Sequence, residues 1–249
     1  MLAAERQDFL LTRLAHDGKL VARDLAVELG ISEDSVRRDL RELSAAGLAQ
    51  RVYGGALPVS PAIATLAVRE SISVDGKQRV AALAAAMVKP GMTVILDGGT
   101  TALAVAAALP AGLEATIVTH SPVIASALIG TSLDVYLIGG RLFHHSGVAS
   151  GAAAAEAIAG VSADLFLLGV TGVHADAGLT TGDADEAAMK RLLSRRAAET
   201  WVLASAEKIG AASPFTVVGL DEVAGILTDA AADHPTVVAL AAAGVTVRR

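Results

Sequence analysis

Five short apolar runs alternate with helical stretches after residue 76 of this 249-residue chain, and this alternation is its most constraining feature. Continuous apolar runs are typical of strands that are buried on both faces, as in a parallel sheet covered by helices. We therefore predict an α/β domain with a mainly parallel sheet over residues 76–249. Its strands are expected at 93–96, 115–119, 135–138, 164–169 and 200–204.

The first 57 residues have a different pattern, in which short amphipathic helices are separated by glycine. Gly30 is suited to the left-handed turn between two helices, and Ser32 is a predicted N-cap of the third helix, which runs to about residue 46. Val36, Leu40 and Leu43 mark the buried stripe of that helix. The other predicted elements are helices at 3–15 and 22–29, a strand at 48–52 and a turn at 53–55. This order is typical of a winged helix-turn-helix.

The solvent-facing arc of the predicted third helix is rich in arginine. A recognition helix inserts its N-terminal part into the major groove, where arginine binds guanine edges or phosphates. The turn after the strand would form a wing that touches the DNA backbone or minor groove. The predicted DNA-binding residues are Ser32, Ser35, Arg37, Arg38, Arg41, Arg51 and Tyr53.

The formal net charge of −6 is unusual for a protein that binds DNA. Residues 1–56 contain eight Lys and Arg and nine Asp and Glu, so the N-terminal part is not basic either. Affinity for nucleic acid depends on the local field, and four of the arginines are close together in sequence. Charge alone favours the alternative of an ordinary solvated helix face.

The N-terminal residues resemble the DeoR family of transcriptional regulators, which implies that this domain binds DNA. Tyr53 departs from the family pattern, where histidine is more common. The matching segments are Glu5-Arg6, Leu25-Ala26-x-x-Leu29-Gly30-Ile31-Ser32, Val36-Arg37-Arg38-Asp39-Leu40-x-x-Leu43 and Arg51-Val52-Tyr53-Gly54-Gly55-Ala56.

Pro58, Ser60 and Pro61 break both helices and strands, which marks a domain junction. We therefore divide the chain into a DNA-binding domain at 1–57, a linker at 58–75 and a sensor domain at 76–249. The two domains are expected to fold as separate units.

The first predicted strand of the larger domain is followed by Asp97-Gly98-Gly99-Thr100-Thr101 and then by a helix. Ligands of parallel sheets bind at the carboxyl ends of the strands. Glycines allow an anion to approach the backbone, and the hydroxyls and the helix N-terminus favour it. A phosphate group is the expected ligand, although such a turn is equally compatible with a purely structural role.

Small and hydroxyl-bearing residues also follow the later strands, as a sugar-phosphate pocket requires. Glu186 and Lys190 are four residues apart and share a helix face; an ordinary helical ion pair is the alternative. Lys208 supplies a further cation, with a surface lysine as its alternative. The predicted effector-binding residues are Asp97, Gly98, Gly99, Thr100, Thr101, Thr119, His120, Ser121, Gly139, Gly140, Glu186, Lys190 and Lys208.

These segments resemble the sensor domain of the same family, which is related in fold to ribose-phosphate isomerase and glucosamine-phosphate deaminase. The resemblance implies that most of the residues named above form or border the effector pocket. Two positions depart from the family pattern: His120 stands where asparagine is usual, and Ser205 where aspartate commonly precedes the lysine motif. We expect these departures to change the choice of effector or to weaken its binding.

The chain has no cysteine, which excludes disulfides and thiolate metal sites and favours an intracellular, cytoplasmic protein. Residues 1–8 are charged, unlike a secretory signal, and the alanine-rich stretch 80–88 is too short to span a bilayer. The pair His144-His145 has no spacing that indicates a metal site. We expect neither a cofactor nor a metal.

The function predicted is a repressor of a carbohydrate-catabolism operon, which a phosphorylated sugar or polyol releases from its DNA operator. A homo-oligomer, dimer or tetramer, is expected, without contact to a membrane. The main alternative is a sugar-phosphate isomerase or deaminase, in which Asp97 and Glu186 remain as possible acid/base residues. The related isomerases carry an Asp-Gly-Ala-Asp motif where this chain has Gly169-Val170-Thr171-Gly172, so we predict no enzyme. A binding module that has lost its affinity for DNA is a third possibility.

Overall fold

The computed structural model describes residues 2–249. Its N-terminal domain is a three-helix unit with a small antiparallel sheet in the order β1-β3-β2. This is the predicted winged helix-turn-helix, and the bounds predicted for the second helix are those observed. The elements are α1 (Ala3–Asp17), β1 (Leu20–Val21), α2 (Ala22–Leu29), α3 (Glu33–Ala45), β2 (Gln50–Val52) and β3 (Gly55–Leu57).

Local signals place the helices of this domain as predicted. Gly30 ends α2 in the left-handed conformation, with φ 64°. The Ser32 hydroxyl accepts a hydrogen bond from the backbone N–H of Ser35 at 3.2 Å, and so caps α3. The guanidinium of Arg6 holds the buried carboxylate of Asp39 through two hydrogen bonds, of 2.5 and 2.9 Å, which tie α1 to α3. This buried ion pair therefore fixes α3 against α1.

The connecting segment, residues 58–73, is bound to the surface of the larger domain. Val59 forms a parallel bridge with Ala212, and the backbone N–H of Leu66 donates to His145 O at 2.9 Å. The segment contains a 3₁₀ turn at Pro61–Ile63 and the short helix α4 (Leu66–Arg69). Since its backbone is paired with the larger domain, the segment is a structured part of that surface.

The larger domain has a seven-stranded parallel sheet in the order β15-β14-β12-β9-β4-β5-β6. This confirms the predicted fold class. The elements are α5 (Val74–Ala85), β4 (Thr93–Leu96), α6 (Thr100–Ala108), β5 (Thr116–Thr119), α7 (Pro122–Ala127), β6 (Asp134–Leu137), β7 (Arg141–Phe143), β8 (Val148–Ser150), α8 (Ala152–Ala159), β9 (Ala163–Gly169), β10 (Gly172–His174), β11 (Gly178–Thr181), α9 (Ala184–Ser194), β12 (Ala197–Leu203), β13 (Phe215–Thr216), β14 (Gly225–Leu227), α10 (Pro235–Ala242) and β15 (Val247–Arg248).

Most of the large sheet is buried on both faces, which explains the continuous apolar runs, whereas the edge strand β6 is exposed at Tyr136 and Leu137. On β4 and β9, Ile95 and Phe166 pack into one core, while Leu96 and Leu167 pack into the core on the opposite face. All five predicted strands are present. The sequence analysis missed β14 and β15, which are three and two residues long, because such short runs do not stand out from loops.

The order of the strands creates a crevice at the carboxyl ends of β4 and β9. The chain runs from β4 outwards to β5 and β6, and then returns to the other side of β4 with β9. The connections that leave these two strands diverge, and a ligand site is expected between them. Within residues 2–249, the helices are too short or too polar to cross a bilayer.

Candidate functional site

A narrow cleft lies at this crevice, and its empty space, counted together with the part open to solvent, is about 490 Å³. Its floor is the turn from β4 into α6, and its walls come from the end of β9, from β11, from α9 and from the 3₁₀ turn Ala206–Lys208. The connecting segment closes one side. The lining residues are Ala62, Arg69, Ile72, Lys77, Gly98, Gly99, Thr100, Thr101, Ser146, Gly169, Val170, Thr171, Thr181, Glu186, Lys190, Glu207 and Lys208.

The turn before α6 requires both of its glycines. A Cβ at position 98 would lie 2.2 Å from Cγ1 of Val148, and Gly99 has φ 96°, a conformation that other residues rarely adopt. Gly99 is also the N-cap of α6, and it has no side chain to bind the first amides of the helix. Thr100 and Thr101 therefore open a helix whose N–H groups face the cleft, an arrangement suited to an anion.

Four cationic side chains surround this turn. Lys208 Nζ donates to Thr101 Oγ1 at 2.8 Å, and Lys77 Nζ donates to the carbonyl of Arg69 at 2.5 Å. Lys190 and the guanidinium of Arg69 complete the group. Lys190 and Lys208 were predicted from the sequence, whereas Lys77 and Arg69 were not. Lys77 was given no role, and Arg69 was assigned to the linker.

The Asp97 carboxylate lies beneath the cleft and is saturated with hydrogen bonds. It accepts from Lys190 Nζ at 2.5 Å, from His120 Nε2 at 2.9 Å, and from the backbone N–H groups of Gly98 and Gly169 at 2.8 and 2.9 Å. Burial alone would raise the pKa of Asp97, but Lys190 and His120 outweigh it and hold the pKa well below its usual range. Asp97 thus joins the ends of β4 and β9 and positions Lys190.

The predicted residues that follow β5 are buried away from the cleft. Thr119 Oγ1 accepts from the N–H of Ser121, and the Ser121 hydroxyl caps α7 and donates to Gly147 O at 3.2 Å. Nδ1 of His120 lies 3.0 Å from Ala149 O of β8. The ring therefore bridges Asp97 and β8. These three residues support the floor of the cleft and do not line it.

Gly139 and Gly140 follow β6, the edge strand of the sheet, and are exposed outside the cleft. A Cβ at position 140 would lie 2.8 Å from Ser150 O, which gives this glycine a packing role. The cleft brings together seven of the predicted effector residues. They are Gly98, Gly99, Thr100, Thr101, Glu186, Lys190 and Lys208.

Two acidic side chains, Glu186 and Glu207, also line the cleft and lie beside its cations. Glu186 Oε1 is 3.9 Å from Lys190 Nζ, and the Glu207 carboxylate accepts a hydrogen bond from Ser205 at 2.7 Å through Oε1. Ser205 is fully buried and does not line the cleft. It therefore acts on the site by orienting Glu207.

Unpartnered polar atoms are concentrated in this cleft. Among residues 2–249, the buried side-chain atoms without a hydrogen-bond partner are Nε and Nη2 of Arg69, Oγ1 of Thr181 and Oε2 of Glu207. All three residues line the cleft. Buried polar groups are nearly always hydrogen-bonded, so a group of orphans in one cavity indicates that a polar ligand is needed to satisfy them. No local sequence pattern marks Thr181 or Glu207.

Lys208 has a pKa of about 8, since burial lowers it from the ordinary 10.5 more than the nearby Glu207 raises it. Between these two values the unfolded chain binds a proton that the folded chain does not, so this group makes folding more favourable as the pH rises. From pH 8 to pH 10 its contribution should increase by about 2 kcal/mol, at roughly 1.4 kcal/mol per pKa unit.

The measurement is the free energy of unfolding by urea at pH 8 and pH 10 for the wild type and for Lys208→Met. The difference between the two proteins isolates Lys208 from the other groups that titrate in this range. Equal pH dependence in both proteins would contradict the lowered pKa.

The predicted DNA-contacting residues lie on the exposed side of the N-terminal domain. Arg37 is held by Glu33 at 2.6 Å, whereas Arg38 and Arg41 are exposed and have no ion-pair partner within residues 2–249. Arg51 is exposed on β2, and Tyr53 is fully exposed at the tip of the wing. Arg38 and Arg41 are therefore free to contact phosphates or base edges.

The structure gives no arrangement for a metal ion within its described residues: no group of three or more His, Asp or Glu side chains converges there. His144 is exposed, and Nε2 of His145 lies 2.9 Å from Ile63 O. His145 thus helps to hold the connecting segment on the larger domain.

Several curated proteins are similar to this chain over almost its whole length. The HTH-type transcriptional regulator GlpR of Haloferax volcanii is 33% identical over 249 residues, which are 99% of this chain and 98% of that protein. The "Uncharacterized HTH-type transcriptional regulator FruR" of Bacillus subtilis is 31% identical, over 92% of each chain. The glycerol-3-phosphate regulon repressor of Escherichia coli K12 is 28% identical, also over 92% of each.

Solved structures share parts of the fold at low sequence identity. Ribose 5-phosphate isomerase A of Methanocaldococcus jannaschii superposes with a TM-score of 0.37 and 16% identity, over 52% of this chain and 51% of its own. The full-length sorbitol operon regulator SorC of Klebsiella pneumoniae has a TM-score of 0.37 and 13% identity, over 82% of this chain and 90% of its own.

Two family models match the chain, one for each domain. The DeoR-like helix-turn-helix domain matches residues 6–62, and the DeoR C terminal sensor domain matches residues 72–230. Together with the similarity to GlpR over the full length, these matches show that the chain belongs to the DeoR family of transcriptional regulators.

Proposed function

We propose that this protein represses a carbohydrate operon and that a phosphorylated sugar or polyol, bound in the cleft, lowers its affinity for the operator. The observation that carries the proposal is the set of unpartnered buried atoms on Arg69, Thr181 and Glu207, all within one cleft. A ligand that satisfies them must carry both negative charge and hydroxyl groups.

The polar groups of the cleft suit both parts of such a molecule. The N-terminus of α6, with Arg69 and Lys208 beside it, suits a phosphate group. Glu186, Glu207 and the hydroxyl of Thr181 suit the hydroxyls of a sugar or polyol, because a carboxylate accepts their hydrogen bonds. An unphosphorylated sugar would bring no negative charge to Arg69 and Lys208.

The names of the relatives support an effector of this class. The Escherichia coli relative is named for the glycerol-3-phosphate regulon, and another relative, of Escherichia coli O157:H7, is named as a putative repressor of the aga operon. We propose the same kind of regulon for this chain, which would act in the cytoplasm as a homo-oligomer on an operator with repeated half-sites. Its effector would shift the protein between DNA-competent and DNA-incompetent arrangements.

The state of Asp97 favours a sensor over an isomerase. A general base needs a free oxygen within reach of the substrate, whereas both oxygens of Asp97 are bound beneath the cleft. Glu186 is the other acidic candidate, and it lies near Lys190. We propose that this site binds its ligand without converting it.

The test is a thermal-shift screen of phosphorylated sugars and polyols, each beside its unphosphorylated form. A ligand at 100 times its Kd stabilises the native state by about 2.7 kcal/mol. We expect a phosphate ester to raise the Tm of the wild type, and its parent sugar to have no effect. The same ester should release the protein from an operator selected out of genomic fragments.

The matched variant is Thr100→Val, which keeps the size of the side chain but removes the hydroxyl at the start of α6. We expect calorimetry to show weaker binding of the ester while the Tm of the free protein is unchanged. If no phosphate ester stabilises the wild type, or if the ester that does is consumed, the proposed function is wrong.

A further inference from the structure

Arg69 reaches the cleft from the segment that joins the two domains. It is the last residue of α4, and its Nη1 lies 3.4 Å from the place a Cβ would take at Gly99. The guanidinium therefore faces the N-terminus of α6, where the site has its anion-binding geometry. The other cations of the cleft, by contrast, come from helices or turns of the sensor domain itself.

The guanidinium of Arg69 has an environment that is unfavourable without a ligand. Its Nε and Nη2 atoms are buried and unpartnered, and burial lowers its pKa from the ordinary value. Glu186 and Asp97 raise the pKa of Arg69, but burial lowers it more, and the cleft also holds the cations Lys77, Lys190 and Lys208. Arginine binds phosphate oxygens through two parallel hydrogen bonds, and a phosphate here would occupy these unpartnered donors.

The segment that carries Arg69 is directly continuous with the wing. Eleven residues lie between Leu57, the last residue of β3, and Arg69. The start of this segment is attached to the chain just after the turn that carries Lys208. Val59 forms its bridge with Ala212, and the Ala212 N–H donates to Pro58 O at 3.4 Å. Ala212 lies four residues after Lys208, so the wing end of the segment is attached close in sequence to a residue that lines the cleft.

We propose that Arg69 binds the phosphate of the effector, and that this contact orders the connecting segment and so transmits occupancy of the cleft to the wing. The inference rests on the proposed function, since it concerns the same cleft and the same class of ligand. Its physical basis is differential binding: a ligand shifts the segment only as far as it binds one arrangement more tightly than another.

The first test compares Arg69→Met with Arg79→Met in the full chain, with inorganic phosphate and glycerol 3-phosphate as probes. Arg79 is the matched control because it is exposed, pairs with Asp229 outside the cleft, and does not line it. We expect Arg69→Met to weaken binding of each probe that stabilises the wild type by about tenfold or more, as the loss of a charge-assisted pair predicts. Arg79→Met should bind as the wild type does.

The free Arg69→Met protein should be at least as stable as the wild type, since methionine removes a buried charge that has no partner. A marked fall in its Tm would show that Arg69 serves the folded structure instead of the ligand. Unchanged binding by this variant would also overturn the inference while leaving the proposed function intact. If neither probe nor any other phosphate ester stabilises the wild type, the proposed function fails first.

The second test is hydrogen exchange of the amides of residues 64–73, with and without the probe that binds. We expect slower exchange on binding in the wild type and in Arg79→Met, and no change in Arg69→Met at a concentration that still saturates it. Equal exchange with and without probe in the wild type would show that binding does not reach the connecting segment. That result would contradict the proposal that occupancy of the cleft is transmitted to the wing.

Discussion

Replacing Asp97 by alanine should lower the free energy of unfolding by about 3 to 5 kcal/mol, the usual effect of removing one partner of a buried ion pair. The carboxylate is fully buried, and its removal would leave the Lys190 ammonium without its 2.5 Å partner. Two backbone N–H groups, of Gly98 and Gly169, would also lose their acceptor. The measurement is urea unfolding at pH 7.

The control for this change is Asp134→Ala, which removes an exposed carboxylate at the start of β6 and should cost less than about 0.5 kcal/mol. The double variant Asp97→Ala with Lys190→Met should recover part of the loss, because it leaves no unpaired buried charge. A loss below 1 kcal/mol for Asp97→Ala, with no recovery in the double variant, would contradict the structural role of this pair.

The same carboxylate sets a direction for the dependence on pH. Its pKa is lower in the folded chain than in the unfolded chain. It therefore contributes stability above the unfolded value of about 3.9, and this contribution is lost as the pH falls towards the folded value. Below pH 4, the free energy of unfolding should therefore fall less steeply with decreasing pH in the double variant than in the wild type.

Replacing Arg38 and Arg41 together by alanine should greatly weaken binding to the operator. A single arginine that reads a base contributes about 1 to 3 kcal/mol, so the pair should cost from about thirtyfold to more than a thousandfold in Kd. Both side chains are exposed, one turn apart on α3, the predicted recognition helix. The measurement is fluorescence anisotropy with a selected operator duplex at a fixed salt concentration.

Arg13→Ala is the matched control, because Arg13 of α1 is paired with Asp17 and with Glu28 of α2 and lies outside the predicted contacts. Arg13→Ala should change operator affinity less than about threefold, because a charge outside the contacts acts on DNA only through the screened long-range electrostatic field. If the double variant binds the operator as tightly as the control does, the surface of α3 is not the reading surface.

Much of this fold follows from patterns that are local in the sequence. Ser32 and Gly30 set the ends of α3 and α2, and the continuous apolar runs identify five strands of the large sheet. These signals are strong because capping and burial on both faces act over a few neighbouring residues. The short strands β14 and β15 were missed for the opposite reason, since their pairing depends on β12 already being in place.

The candidate site was predicted in part. The turn Gly98 to Thr101 has its own local signature, and Lys190 and Lys208 are cations that follow or face strand ends. His120 and Ser121 also follow a strand, yet they point beneath the floor of the cleft, because side chains next to a strand end alternate between its faces. Whether a residue at a strand end lines a cavity depends on that alternation and on what packs above it.

The sequence by itself determined the arginine-rich third helix with its Ser32 cap, and the glycine turn suited to an anion. Each of these depends on hydrogen bonds or backbone angles within a few residues. The tertiary structure alone decided that Arg69, Thr181 and Glu207 meet in one cleft. They come from a connecting segment, a short strand and a 3₁₀ turn, and only the order of strands around β4 and β9 brings such distant segments together.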